Sequence, residues 1–362
     1  MSNPENVLLN RKAPGSSSSG QLICRGLQSG EEAAYLSFAR EAWGAESVQA
    51  RPERLAWLYK HNPNTRGVEK DLLVMSDGAK IVGAHHRMRI PWSIDGQQAI
   101  VPSFHDLYVL PSHRTGQGSQ LVWAALGGEA NAALFGLSGI SDQIYARMRL
   151  PTVPLIWFDR WRFPVRAGFQ YLGSRLGPGA RQPRSEVLQG ERRIGGFDVS
   201  WTHKPTPEQF AEALHLVPAK PVFPEWNAAT YAWRFFHDSG PDNILLLAHG
   251  AGRVLGRAVI SFGIRHGIGT GRIVELVSSD ERCVTAVVQV IERVFSVMRV
   301  PFSAAVTSSK EIARALSACG WKPRKSAPGA RWFSRKRNLQ PEGISVCGGV
   351  WDFGCDLCMD QP

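Results

Sequence analysis

Acidic residues are scarce in this chain: 31 Asp and Glu stand against 42 Lys and Arg, which leaves a formal charge of +11 over 362 residues. An excess of that size suits a polyanionic or anionic partner: nucleic acid, an acidic membrane surface, or a phosphorylated substrate. The arginines form no compact tract, although residues 322–337 are dense in Lys322, Arg324, Lys325, Arg331, Arg335, Lys336 and Arg337. Cysteine is sparse as well. Cys24, Cys283, Cys319, Cys347, Cys355 and Cys358 make no disulfide framework for so long a chain. The last three are spaced C-x7-C-x2-C but have no fourth Cys or His nearby, so no metal is expected. No apolar run approaches the roughly 18 residues of a membrane span. The opening residues are polar, with no apolar core of a signal peptide. Residues 1–20 are therefore expected to be a disordered leader and the protein to be cytoplasmic. The length allows two domains, each with its own core.

What is present concentrates in residues 103–122. A strand over 104–109, alternating and rich in aromatic and β-branched residues, stops at Pro111. A turn follows, His113-Arg114-Thr115-Gly116-Gln117-Gly118, and opens into an apolar helix near Ser119. Glycines let backbone approach a ligand, and the first free amides of a helix attract negative charge. A diphosphate is the natural occupant. Next come a short apolar strand over 132–137 and a small helix over 138–150 that carries Tyr145.

Together these two segments resemble the cofactor core of the GNAT acyltransferase superfamily. Val109, Pro111, Gly116 and Gly118 match its V-x-P-x-x-R-G-x-G-x-G loop. Ser138, Ser141, Ile144, Tyr145 and Leu150 fall at the spacing of its N-x-x-A-x-x-L-Y-x-x-x-G-F helix. The loop is one residue short, so either His113 or Arg114 takes the basic position. Ser138 and Ser141 replace Asn and Ala, and Arg149 replaces Gly. The resemblance implies an acetyl-CoA or other acyl-CoA co-substrate, held by Leu107, Val109, His113, Arg114, Thr115, Gly116, Gln117, Gly118, Ser119 and Ser138.

The chain also repeats itself. Ala56-Trp57-Leu58-Tyr59-Lys60-His61 returns as Ala232-Trp233-Arg234-Phe235-Phe236-His237. Each copy precedes an apolar strand, a hairpin and a glycine-bearing strand, an order that argues for duplication. The second copy lacks the glycine loop. In its place stands Ser278-Ser279-Asp280-Glu281-Arg282, whose acids would repel a diphosphate, and Leu316 occupies the tyrosine position. The expected fold is α/β: two GNAT-like domains, each a mostly antiparallel sheet with a βαβ crossover and flanking helices. An active unit over 21–166, a connection over 167–196 and a degenerate unit over 197–362 are expected.

Acyl transfer from a thioester to an amine needs a base, an oxyanion site and an acid for the thiolate. The resemblance makes Tyr145 that acid, and a backbone amide near residues 107–109 faces the oxyanion. Asp106 is the favoured base, with His105 as the alternative. Strand alternation puts these two on opposite faces, so only one should reach the acceptor. His85 and His86 are reserves. The aromatic run over 153–163 would line the acyl or acceptor groove, or form a core strand. Tandem GNAT enzymes that look similar acylate amines on sugars, antibiotics or peptides, and a carrier-protein donor is an alternative to CoA. Two rival readings remain. One is a FemAB-like transferase using aminoacyl-tRNA. The other is a non-catalytic nucleic-acid binder gripping through residues 322–337, with Trp332 and Phe333 for base stacking.

Overall fold

The computed structural model describes residues 22–346 except 79, 115, 177–188, 219, 266, 326–327 and 336–340. The expected leader, Thr115, the three C-terminal cysteines and a final strand expected near residues 349–353 lie outside the described residues.

The first half opens with β1 (Ile23–Gly26), α1 (Glu32–Trp43), α2 (Pro52–Tyr59) and α3 (Val68–Asp71). A meander follows, β2 (Leu72–Ser76), β3 (Ile81–Ile94) and β4 (Gln97–Val109). The β3–β4 hairpin turns on Asp95 and Gly96 at φ +50° and +78°, the left-handed pair that a two-residue hairpin turn demands. Then come α4 (Gln117–Leu126), β5 (Asn131–Leu137), α5 (Gly139–Arg147), β6 (Ile156–Trp161) and α6 (Pro164–Leu176). Pro52 starts α2 at its first helical position, where a missing N–H costs nothing.

The second half runs β7 (Gly190–Ile194), β8 (Phe197–Thr202), α7 (Pro207–Leu214), β9 (Val222–Pro224) and α8 (Ala228–Phe236). It continues with β10 (Asn243–Gly250), β11 (Arg253–Arg265), β12 (Ile268–Ser278) and α9 (Glu281–Val297). β13 (Phe302–Thr307), α10 (Lys310–Ala318), β14 (Lys322–Pro323) and β15 (Gly329–Ser334) complete it. A reciprocal capping box, Thr206 with Gln209, starts α7.

Two sheets result. The first has the order β1-β2-β3-β4-β5-β15, with β9 added on β3. The second has the order β14-β6-β13-β12-β11-β10-β8-β7. Each is antiparallel but for one parallel pair, β4 with β5 and β12 with β13, and a helix makes each crossover. The halves exchange strands. β6 of the first half pairs with β13 in the second sheet, and β15 of the second half pairs with β5 in the first. The aromatic run expected to line a groove is thus strand β6, with Trp157 and Phe158 buried. The expected connection over 167–196 begins as helix, because α6 extends to Leu176.

The repeated strings meet each other. The Trp57 and Trp233 rings stack at 5.1 Å. Each indole N–H donates to the other's backbone carbonyl, at 3.1 Å and 2.7 Å. His61 and His237 lie ring to ring at 4.5 Å. Two matched residues making reciprocal contacts are the mark of a local two-fold axis, here inside one chain.

Candidate active site

β4 and β5 hold hands briefly: the parallel ladder pairs Ser103 with Ala133 and Phe104 with Leu134, and no further. Two residues past each last pair the backbone turns left-handed, Asp106 at φ +51° and Gly136 at φ +66°. Asp106 sits where β4 carries an extra residue against β3, between the pairs His86–His105 and Ala84–Tyr108. Such bulges bend a strand and end its pairing. The parallel ladder therefore ends, and the backbone of residues 105–109 has no ladder partner on β5.

The glycine-punctuated turn leads from this stretch into α4. Gly116 is the N-cap of the helix at φ +104° and, having no side chain, supplies no cap hydrogen bond, while its carbonyl accepts from Ser119 N at 3.1 Å. A Cβ on Gly118 would stand 3.6 Å from Ile144 Cδ1, which places the first turn of α4 against α5. Arg114 folds back, donating from Nε to the Val109 carbonyl at 2.8 Å with its guanidinium 4.9 Å from the Tyr108 ring centre. His113 turns away toward Ser112 Oγ (2.8 Å) and Asp77 (3.9 Å). Gln117 and Ser119 lie in the first turn of α4, and Leu107 and Val109 along the free stretch of β4. Ser138 is the N-cap of α5, its Oγ accepting from Ser141 N at 3.3 Å. Tyr145 is buried in that helix, and burial pushes its phenol well above its ordinary pKa, so the proton stays on.

The bulge also overturns the expectation that His105 and Asp106 face opposite ways. A left-handed residue breaks the two-residue alternation, and Asp106 swings to the side of His105, Oδ2 lying 4.0 Å from His105 Nε2. Both sit beneath α1 and α2. Arg54 Nη2 donates to Asp106 Oδ2 at 2.6 Å and Gln49 Nε2 to Oδ1 at 3.3 Å. Burial alone would raise the Asp106 carboxyl, but Arg54, His105 and Gln49 outweigh it and hold the group below the usual carboxylate range. His86, paired across the sheet with His105, is gripped by two hydroxyls: Tyr35 on Nε2 at 2.7 Å and Tyr59 on Nδ1 at 2.6 Å. His86, His105 and Asp106 bring potential ligand atoms within 4.8 Å of one another. Those of His86 and Asp106 are already engaged by hydroxyls and a guanidinium.

His85 points to the opposite face, against the Phe104 ring and under α4, and burial lowers its pKa to about 3. Sequence reasoning missed Arg54, Gln49, Tyr35 and Tyr59. Only Tyr59 had a signal, in the repeated Ala56–His61 string; just after it, buried Asn62 donates from Nδ2 to the Arg89 carbonyl at 3.2 Å.

The matching corner of the second half is closed. Asp280 caps α9, its carboxylate accepting from the amides of Arg282 (2.7 Å) and Cys283 (3.0 Å). The chain's own tail enters beside β13, where Val346 N donates to Ser308 Oγ at 2.8 Å. Val346 and Ser345 help line what remains there, a cavity of about 20 Å³ between β12 and β13. Its wall includes the buried Glu275, which is bound by Arg257, Trp226 and Tyr231.

In the basic segment over 322–337, Lys322, Lys325 and Arg335 are exposed and two arginines are paired. Arg324 pairs with Asp159 and Arg331 with Asp142. Trp332 is buried against Trp92.

No protein-family profile and no curated protein matches this sequence. Solved structures match its fold. Saccharomyces cerevisiae N-myristoyltransferase with bound myristoyl-CoA aligns at a TM-score of 0.58, covering 96% of this chain and 87% of its own at 11% identity. A GCN5-related N-acetyltransferase from Kribbella flavida aligns at 0.52, covering 87% and 70% at 18% identity. A probable N-acyltransferase from Enterococcus faecalis gives 0.54, covering 86% and 72% at 12% identity. At such identities the likeness establishes architecture: this is an α/β chain of two GNAT-like units, each a mostly antiparallel sheet with one βαβ crossover and flanking helices.

Proposed function

We propose that the protein is an acyl-CoA-dependent N-acyltransferase, moving an acetyl or longer acyl group from a thioester to an amine on a small molecule, sugar or peptide. One observation carries the reading. β4 and β5 part directly after Phe104 and Leu134, and the turn leaving β4 enters a helix that begins on a left-handed glycine. An extended thioester-bearing arm suits such a gap, because a free strand edge offers it backbone donors and acceptors. Its diphosphate suits the N-terminal end of α4, where the positive end of the helix and the Gly116 cap allow close approach. Leu107 and Val109 flank the arm, and Arg114, anchored on Val109, is the better placed of the two basic candidates.

On this reading His105 takes the amine proton, directly or through water. Asp106 is poorly suited to do so, being held ionised by Arg54, but its charge stabilises the imidazolium that forms. The attacking nitrogen adds to the thioester carbonyl, a backbone amide of residues 107–109 holds the oxyanion, and collapse expels the thiolate. Tyr145 returns a proton to that sulfur. The second unit is a duplicated copy that has lost its donor site, a view supported by the reciprocal Trp57–Trp233 contact, the Asp280 cap and the inserted tail. Yeast N-myristoyltransferase, which covers nearly the whole chain in fold, makes long acyl groups the first donors to try beside acetyl.

Thermal unfolding with acetyl-CoA, myristoyl-CoA, CoA and ADP tests the donor site. A ligand at about a hundred times its Kd adds about 2.7 kcal/mol, which should raise Tm by roughly 5 °C. Gly118→Glu places a carboxylate at the diphosphate position without a steric clash and should abolish the shift at unchanged basal Tm. No shift with any CoA species, or an undiminished shift in the variant, refutes the assignment. Thiol release with a panel of amines then identifies the acceptor.

A further inference from the structure

Helix α6 wears its apolar face outward. Val165, Phe169 and Leu172 recur at i, i+4 and i+7 on one stripe and are 73%, 72% and 56% exposed. The opposite side does the packing: Ala167 is buried, and Gln170 Oε1 accepts from Gly269 N at 3.1 Å. Trp161 and Phe163, just before the helix, are exposed too, and the backbone there is tied to Pro301, since Arg162 N donates to its carbonyl at 2.9 Å. An open groove of about 670 Å³ runs along this face between Phe163, Val165, Arg166 and Phe169. A soluble chain has no folding reason to show water such a stripe.

The chain segment that carries it has charge of one sign. No Asp or Glu occurs between Asp159 and Glu186, while Arg160, Arg162, Arg166, Arg175, Arg181 and Arg184 do. Arg160 and Arg162 share the single carboxylate of Glu292, and exposed Arg166 stands on the helix itself. Arg299 is exposed in the turn before Pro301, whose carbonyl holds Arg162 N, and Arg293 and Val297 are exposed in the last turns of α9.

We infer that this face is a docking surface for an anionic phospholipid bilayer, with Val165, Phe169 and Leu172 entering the headgroup boundary and Arg166, Arg293 and Arg299 meeting lipid phosphates. An aromatic-rich apolar stripe rimmed by arginine is the composition of a helix that lies in the plane of a membrane interface. A protein partner of ordinary kind would have no need of a rim so uniformly basic. The inference stands apart from the proposed acyl transfer, since none of these residues belongs to the gap between β4 and β5.

Co-sedimentation of the purified full chain with vesicles tests it. Phosphatidylcholine vesicles carrying phosphatidylglycerol should bind the chain, pure phosphatidylcholine should bind it about tenfold less, and added salt should release it. Phe169→Glu with Leu172→Gln should lower binding about tenfold or more with the melting curve unchanged, because both side chains are exposed. Arg166→Glu, which leaves the apolar stripe intact, should weaken binding to the anionic vesicles alone. Failure of the natural sequence to bind anionic vesicles, or undiminished binding by the variants, overturns the inference. So does a dimer, seen by light scattering without lipid, that the double variant dissociates, for then the face belongs to a second copy.

Discussion

Two buried residues show how environment assigns a role. Tyr145 has its phenol pushed up by burial and so keeps a proton that it can give. Tyr145→Phe should lower kcat about a hundredfold with the KM for acyl-CoA nearly unchanged, read by steady-state thiol release. An unaltered kcat would leave the side chain a packing role only. His85 is the opposite case. Its pKa of about 3 in the folded chain lies below the ordinary 6.5, so the unfolded chain takes up a proton there that the folded chain refuses. The stabilisation from neutral His85 is therefore complete above about pH 6.5 and is lost as pH falls toward 3. Urea midpoints measured from about pH 7 down to pH 5 should fall more steeply for the natural chain than for His85→Leu. Parallel slopes would mean that other groups govern the acid limb.

Elements of like sequence diverge through their caps. α4 and α9 both follow the parallel-paired strand and both make the crossover, yet one begins on a left-handed glycine and the other on Asp280. A carboxylate that accepts from two first-turn amides satisfies the helix terminus and repels a second anion. Asp280→Ala should cost about 1 kcal/mol of stability and leave acyl-CoA binding and turnover as they were. Denaturant unfolding and calorimetric titration together check this, and a second binding event in the variant would show that the second unit retains a donor site. The left-handed residues of β4 and β5 act at the same scale. Gly136 needs no side-chain tolerance, and Asp is among the few residues that accept such a φ readily.

Across the whole molecule, the two halves are interlocked rather than appended. β6 and β15 each complete the other half's sheet, and the Trp57–Trp233 pair closes the centre. Unfolding should be one transition by both far-ultraviolet and fluorescence probes, because neither sheet is complete without the other half. Trp57→Ala and Trp233→Ala should each cost about 3–5 kcal/mol, and the double variant should fall short of their sum by roughly 1–3 kcal/mol. Additive losses would show that the two indoles do not support each other.

The sequence by itself determined much of this. The meander, the helix that crosses to a parallel strand, the proline stop and the repeated A-W-x-aromatic-x-H string all rest on patterns a few residues long, set by period, turn chemistry and capping. α4 begins two residues before the expected Ser119, while Asn131–Leu137 lies almost where the apolar run over 132–137 put it. Tertiary structure alone decided the rest. That Asp106 joins His105 depends on a bulge, which is a mismatch between two strands and so is written in neither. That Arg54 and Gln49 hold Asp106 depends on α2 and the short turn Val48–Ala50 before it folding over a strand some fifty positions downstream. The exchange of β6 and β15 likewise follows no local pattern, since either strand would satisfy either sheet edge. Packing chooses between them, and it acts only once both halves are present.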